Sequence, residues 1–246
     1  MVFILRSLAL AMVLLPCPLL AQVADMCDMM AGSKVSPVSA HLTVAVEKAG
    51  AGDWTQAYLS ASDTVTALGA KATALFLEAD SSKGFPEARA MVDNELIAQD
   101  GILAVRKDHF SLRPSVLAWL GWLACRAGEA QKGHYWMRIG QRDHPGERFF
   151  ADSALLFVAN GNLEQAVSYL PSSPVALNDL VASGVIACLN RDSQLGIQRL
   201  TQALEMAPEK DPLVAAANRW LQECKAGKLG KTFVPQAPKG KKGKGR

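Results

Sequence analysis

The chain has little with which to do chemistry. It has four histidines in 246 residues, His41, His109, His134 and His144. No two stand at the i, i+4 spacing of a helical metal site, and HExxH is absent. Neither GxxxxGKS/T nor GxGxxG occurs, so there is no glycine loop to cradle a phosphate. GxSxG, the strand-to-helix elbow of many serine hydrolases, is missing as well. The five cysteines contain no CxxC pair, which leaves redox-motif and zinc-ribbon readings without support. Acids such as Glu78, Asp80, Glu87, Asp93 and Glu95 read as solvated helix faces, with no motif pairing two of them as acid and base. No catalytic residue, metal or cofactor is expected. An enzyme with its site in a concave face is an alternative that no sequence feature supports.

Acid is missing from both ends. Residues 1–24 hold no carboxylate and one cation, Arg6, followed by the apolar stretch "SLALAMVLLPCPLLA", interrupted by Pro16 and Pro18. That stretch is shorter than the roughly 20 residues of a membrane span and fits a secretory signal, with cleavage expected after Ala21. Cys17 follows Pro16 rather than a small residue, which argues against a lipid-anchored cysteine. The expected organisation is a signal peptide over 1–21, a linker over 22–35, a folded domain over 36–225 and a tail over 226–246. The expected destination is secreted or periplasmic.

At the other end no acid follows Glu223. Eight of the 26 basic residues lie from Lys225 onward and one is Arg6, which leaves 17 against 23 acids for the rest of the chain. The body is therefore acidic and the tail cationic. "GKLGKTFVPQAPKGKKGKGR" has too few apolar residues to order itself, so 226–246 is expected to be disordered. Lys239, Lys241, Lys242, Lys244 and Arg246 could hold an anionic polymer of nucleic acid, lipid or cell-envelope type. The plainer alternative is a solubilising tail.

Between the ends, apolar residues recur at intervals of three and four, with breaks at Gly, Pro, Asn and Asp. "VLAWLGWLACRAG" and "LNDLVASGVIACLN" are typical, and the fold class expected is all-α. The breaks are regular. Gly121, Gly128, Gly133, Met137, Gly140 and Pro145 follow one another at seven, five, four, three and five residues. Gly184 stands twelve residues before Gly196, the same gap as Gly121 to Gly133. Leu200, Ala203 and Pro208 then follow at four, three and five. Ala154, Gly161, Ala166 and Leu170 keep the register, as do Ala45, Gly52, Ala57 and Ala61.

This spacing resembles the tetratricopeptide-repeat family, in which units of about 34 residues form a helix, a turn and a helix. The resemblance covers about residues 36–225, with units beginning near Val38, Ala70, Pro114, Glu147 and Leu177 and a capping helix from Leu213. It is good from Pro114 to Pro208 and poor from Ala70 to Phe110. It implies antiparallel helix pairs stacked as a short α-solenoid, with small residues where helices touch. Gly121, Ala154 and Gly184 would be the contacts on first helices, and Gly133, Ala166 and Gly196 on second helices.

The resemblance also implies a concave face lined by Trp122, Arg126, Leu155, Val158, Val185, Leu189 and Leu221. Such a face suits an apolar helix or extended peptide anchored by Trp and Arg. The alternative is a face covered by the chain's own helix around Met91 to Arg106. Four cysteines remain after signal removal: Cys27, Cys125, Cys188 and Cys224. They allow up to two bridges in three connectivities. Cys188 and Cys224 fall on successive first helices, whose axes lie about 8–10 Å apart, against a Cα separation of at most about 7 Å for a disulfide. Buried free thiols are therefore expected, with a bridge as the alternative. The function expected is that of an exported interaction scaffold whose partner is another protein or peptide.

Overall fold

In a computed structural model of the protein, residues 18–35, 37, 39–83, 86, 90, 101–105, 110–145 and 149–229 are described. They form ten α-helices and one β-hairpin. The helices are α1 (Pro18–Cys27), α2 (Thr43–Gly50), α3 (Trp54–Lys83), α4 (Pro114–Arg126), α5 (Ala130–Asp143), α6 (Phe150–Ala159), α7 (Leu163–Tyr169), α8 (Leu177–Leu189), α9 (Ser193–Met206) and α10 (Pro212–Lys225). The hairpin pairs β1 (Leu103–Val105) with β2 (Phe110–Leu112) antiparallel, Ala104 opposite Ser111.

Local chemistry sets the helix ends. Pro114 and Pro212 stand in the first turn of α4 and α10, where a missing N–H costs nothing. Asn162, Asp192 and Asp211 cap α7, α9 and α10, each accepting a backbone N–H of the first turn. The turn seven residues after each small contact residue is left-handed: Gly52, Gly128 and Gly161 have φ of 77°, 75° and 78°. The fourth such turn has no glycine, and Arg191 is held there at φ 66°.

The small residues stand where helices meet. A Cβ on Gly184 would lie 2.7 Å from Leu200 Cγ, and one on Gly196 would lie 2.9 Å from the Gly184 carbonyl oxygen and collide with Cys188 Sγ. A Cβ on Gly133 would come within 2.7 Å of Leu156, and one on Gly121 would collide with the end of Met137. Each first helix thus packs on its own second helix, α4 on α5 and α8 on α9. The first helices α4, α6, α8 and α10 also touch in succession. Ala154, Leu156, Leu180, Val185 and Ile186 are fully buried along this row.

Two expectations fail here. No unit begins at Ala70, because α3 runs unbroken through Gly69 for 30 residues. Nothing lies within 4 Å of a Cβ placed on Gly69, so that glycine neither makes a contact nor ends the helix. Residues 22–35 are not a linker: α1 continues into turns and a 3₁₀ segment (Ala31–Lys34), and Met26, Cys27, Met29 and Met30 are at most 2% exposed. Val23, Met26 and Cys27 of α1, all beyond the expected cleavage point at Ala21, pack in or against the core. Toward the other end Leu229 is buried. Among the described residues no helix is long and apolar enough to cross a membrane.

Candidate functional site

The residues expected to line a concave face are mostly buried and do not line an open groove. Leu155, Val158, Val185, Leu189 and Leu221 are 0–5% exposed. Trp122 and Arg126 are half-buried. The segment from Val23 to Val35 lies over the first helices: α1 packs on α4 and α6, and Ala31–Lys34 packs on α4. The stretch Met91 to Arg106, expected as a cover, lies largely outside the described residues. So does the cationic cluster from Lys239 to Arg246.

The overlying segment is gripped by apolar and polar contacts together. Met26, Met29 and Met30 enter the core. A Cβ on Gly32 would lie 2.8 Å from Trp122 Cβ and collide with the Ala118 carbonyl, so only glycine lets the segment come this close. Asp28 accepts from Trp122 Nε1 at 3.1 Å and from Arg126 Nη1 at 2.9 Å. The Arg126 guanidinium in turn sits 4.2 Å from the Trp54 ring centre, and Trp54 meets Trp122 edge-on at 5.4 Å. Two further ion pairs close the perimeter, Asp25 with Arg219 at 3.0 Å and Lys34 with Asp211 at 2.9 Å. At the centre the Ala31 N–H donates to Asp152 Oδ1 at 3.0 Å. That carboxylate caps the 3₁₀ turn from across the fold.

Two disulfides replace the expected free thiols, Cys27–Cys125 and Cys188–Cys224, with Cα separations of 5.6 and 5.7 Å. The axis argument misled because each Cα stands about 2.3 Å off its axis, so Cα atoms on facing sides approach far closer than the axes do. The first bridge ties the overlying segment to α4. The second ties α8 to α10.

Asp152 is the most perturbed group of this region. Burial pushes its carboxyl up to about 7, the neighbouring Asp179 adds to the rise, and the Ala31 N–H opposes it. Its second oxygen, Oδ2, has no hydrogen-bond partner among the described residues. A protonated Asp152 is the form that suits this site below neutrality. His134, stacked on Phe157 with ring centres 3.9 Å apart, is held neutral by burial, its pKa lowered to about 4.

The remaining buried polar cluster joins the hairpin to the end of α5. Ser111 donates to Asp143 at 2.6 Å, and His144 Nε2 lies 2.7 Å from the Leu112 carbonyl. Among the described residues no three His, Cys, Asp or Glu side chains gather as a metal site. A surface cavity of about 670 Å³ opens between α5, α6 and α7, lined by Pro145, Phe150, Tyr169, Leu170 and Val175. Phe150 and Val175 are 48% and 60% exposed there.

Sequence reasoning missed Asp25, Asp28, Cys27, Asp152 and Arg219 as members of the site. A signal was present. Val23, Met26, Cys27 and Met30 keep helical spacing, and Asp25 and Asp28 stand one turn apart on the other face. No family model, curated protein or solved structure matches the chain.

Proposed function

We propose that the chain is an exported helical-repeat protein of tetratricopeptide type whose concave face binds another polypeptide. The observation that supports this reading is the self-occupied groove. Its first helices hold a polypeptide segment by three buried methionines, a tryptophan N–H, two arginines and a disulfide. A face able to hold one segment this way has the anchors of a peptide-binding site, with Trp and Arg in the positions that commonly dominate affinity. The repeats act as a rigid mount, and no chemistry is assigned to them.

The test is capture from envelope or secretory extract by residues 22–246, with three variants beside the parent. Asp25→Ala with Asp28→Ala, in a chain whose Cys27–Cys125 bridge is removed by Cys27→Ser and Cys125→Ser, loosens the covering segment and leaves the groove intact, so capture should rise. Adding Arg126→Ala should abolish the gain. Deleting residues 230–246 should leave capture unchanged. A second reading is favoured by the eight cations after Glu223: the tail binds an anionic polymer and the repeats only carry it. In that case capture would vanish with the tail and fall steeply with salt.

A further inference from the structure

We propose that residues 23–34 are a resident mimic of the groove's ligand, latched by Cys27–Cys125. The partner is then an acidic, methionine- or leucine-rich segment admitted when a dithiol opens that bridge. This rests on the polypeptide-binding reading above and specifies its ligand class and its control.

The groove dictates the order of features along its ligand. Arg219 and Arg126 come first, facing Asp25 and Asp28. Apolar room for Met26, Met29 and Met30 lies between and just beyond them. Asp152 follows and takes a backbone N–H, at Ala31. Asp211 comes last and takes a cation, at Lys34. A ligand must therefore carry two carboxylates one helical turn apart, apolar side chains at i, i+3 and i+4, then an uncapped N–H over a small residue, then a positive charge. The small residue is required because Gly32 touches the α4 backbone. A basic or extended apolar peptide would leave Arg126 and Arg219 unpaired.

The two disulfides differ in what they hold. Cys188–Cys224 joins α8 and α10, which pack on each other and on α9 without it. Cys27–Cys125 closes a separation of 98 residues and fastens the 23–35 segment, whose helix and 3₁₀ turn pack on α4 and α6. The bridge is buried, so the reductant reaches it when that segment lifts. A thiolate of the dithiol attacks one sulfur, the other leaves as a thiolate and takes up a proton. The second thiol of the reductant then resolves the mixed disulfide. Cys27 and Cys125 end as thiols and the dithiol as its own disulfide. An unlatched segment still competes at an effective concentration on the order of millimolar through its short connection to α2, so a partner must match its chemistry to displace it.

The experiment uses the full chain and a fluorescein-labelled peptide of residues 22–35 carrying Cys27→Ser, read by anisotropy. The oxidised parent should not bind it. Cys27→Ser with Cys125→Ser should bind it weakly. Adding Asp25→Ala and Asp28→Ala to that chain should tighten binding at least tenfold. A peptide with Asp25→Asn and Asp28→Asn, or a body with Arg126→Ala, should lose at least tenfold. The idea falls if the loosened chain keeps its helical circular dichroism, is cut by protease within 22–35, and still ignores the peptide. If it then captures other polypeptides through the groove, only the ligand class is wrong; if it captures none, the binding reading falls as well. Should the variants not fold, the parent is titrated with dithiothreitol and its thiols are alkylated. Cys27 and Cys125 must be labelled, and the peptide bound, at lower reductant than Cys188 and Cys224 require. Labelling of all four together, with loss of helix, overturns the latch.

Discussion

Gly196 and Gly121 both stand at helix contacts, yet replacing each by alanine should have different results. Alanine in a helix gains about 1 kcal/mol over glycine, while overpacking a tight contact costs about 1–3 kcal/mol. At Gly121 the new methyl meets the terminal methyl of Met137, with Met137 Sδ at 3.3 Å and Met30 Cε at 3.5 Å. These are ends of flexible side chains, so the cost lies at the low end and Gly121→Ala should be neutral within about 1 kcal/mol. At Gly196 the methyl meets Cys188 Sγ, which its bond to Cys224 prevents from turning away. The Gly184 carbonyl oxygen at 2.9 Å and the Cys188 nitrogen at 3.0 Å close the other sides. None of the three can yield without moving α9 off α8. A cost of about 3 kcal/mol against a gain of about 1 leaves a net loss of about 2 kcal/mol, or roughly 4–8 °C in Tm. Urea unfolding followed by circular dichroism measures both. Part of the Gly196→Ala loss should disappear in a Cys188→Ala, Cys224→Ala background, because the sulfur is one wall of the contact. Equal effects at the two glycines, or a larger loss at Gly121, would refute the packing argument.

Other expectations concern the turns, the bridges and the buried acid. Arg191→Gly should raise stability by about 1 kcal/mol in the same assay, since it relieves a left-handed residue that bears a side chain. Loop closure over 98 and 36 residues gives upper values of about 4.7 and about 3.8 kcal/mol for the two disulfides. The Cys27→Ser, Cys125→Ser chain should therefore lose more stability to denaturant than the Cys188→Ser, Cys224→Ser chain. Asp152 has a folded pKa raised from 3.8 to about 7. Its contribution is therefore full below 3.8 and is lost as pH rises toward 7, a change on the order of 4 kcal/mol. Asp152→Asn keeps an acceptor for Ala31 and should be more stable than the parent at pH 8 but not at pH 4. His134 works in the other direction, because its folded pKa is lowered from 6.5 to about 4. Its contribution is full above 6.5 and is lost as pH falls toward 4, so His134→Gln should flatten the acid side of the stability profile.

The helix pairs from Pro114 to Pro208 were legible because each contact lies within about 30 residues and needs a residue of one size. Gly121 with Met137 and Gly184 with Leu200 leave a spacing that can be read directly. The left-handed turns were legible at Gly52, Gly128 and Gly161 for the same reason, and hidden at Arg191. The stretch after Ala70 was not legible. Gly69 looks like a break, yet one glycine costs a 30-residue helix only about 1 kcal/mol. The occupied groove was the largest miss. The long-range polar partners of the 23–35 segment are 94 to 194 residues away, from Trp122 with Asp28 to Arg219 with Asp25. Nothing local to "DMCDMM" says which surface it covers. The four cysteines offered three connectivities, and only tertiary structure chooses between them.

Peptide mapping of the unreduced protein by mass spectrometry tests the central claim most directly. The segment from Val23 to Val35 is tied to α4 by one covalent bond, and that bond is chemically visible. The account predicts two linked peptide pairs, Cys27 with Cys125 and Cys188 with Cys224, and no alkylation of any of the four without reductant. Free thiols at Cys27 and Cys125, or a link from Cys27 to Cys188 or Cys224, would contradict the placement of residues 23–35 on α4.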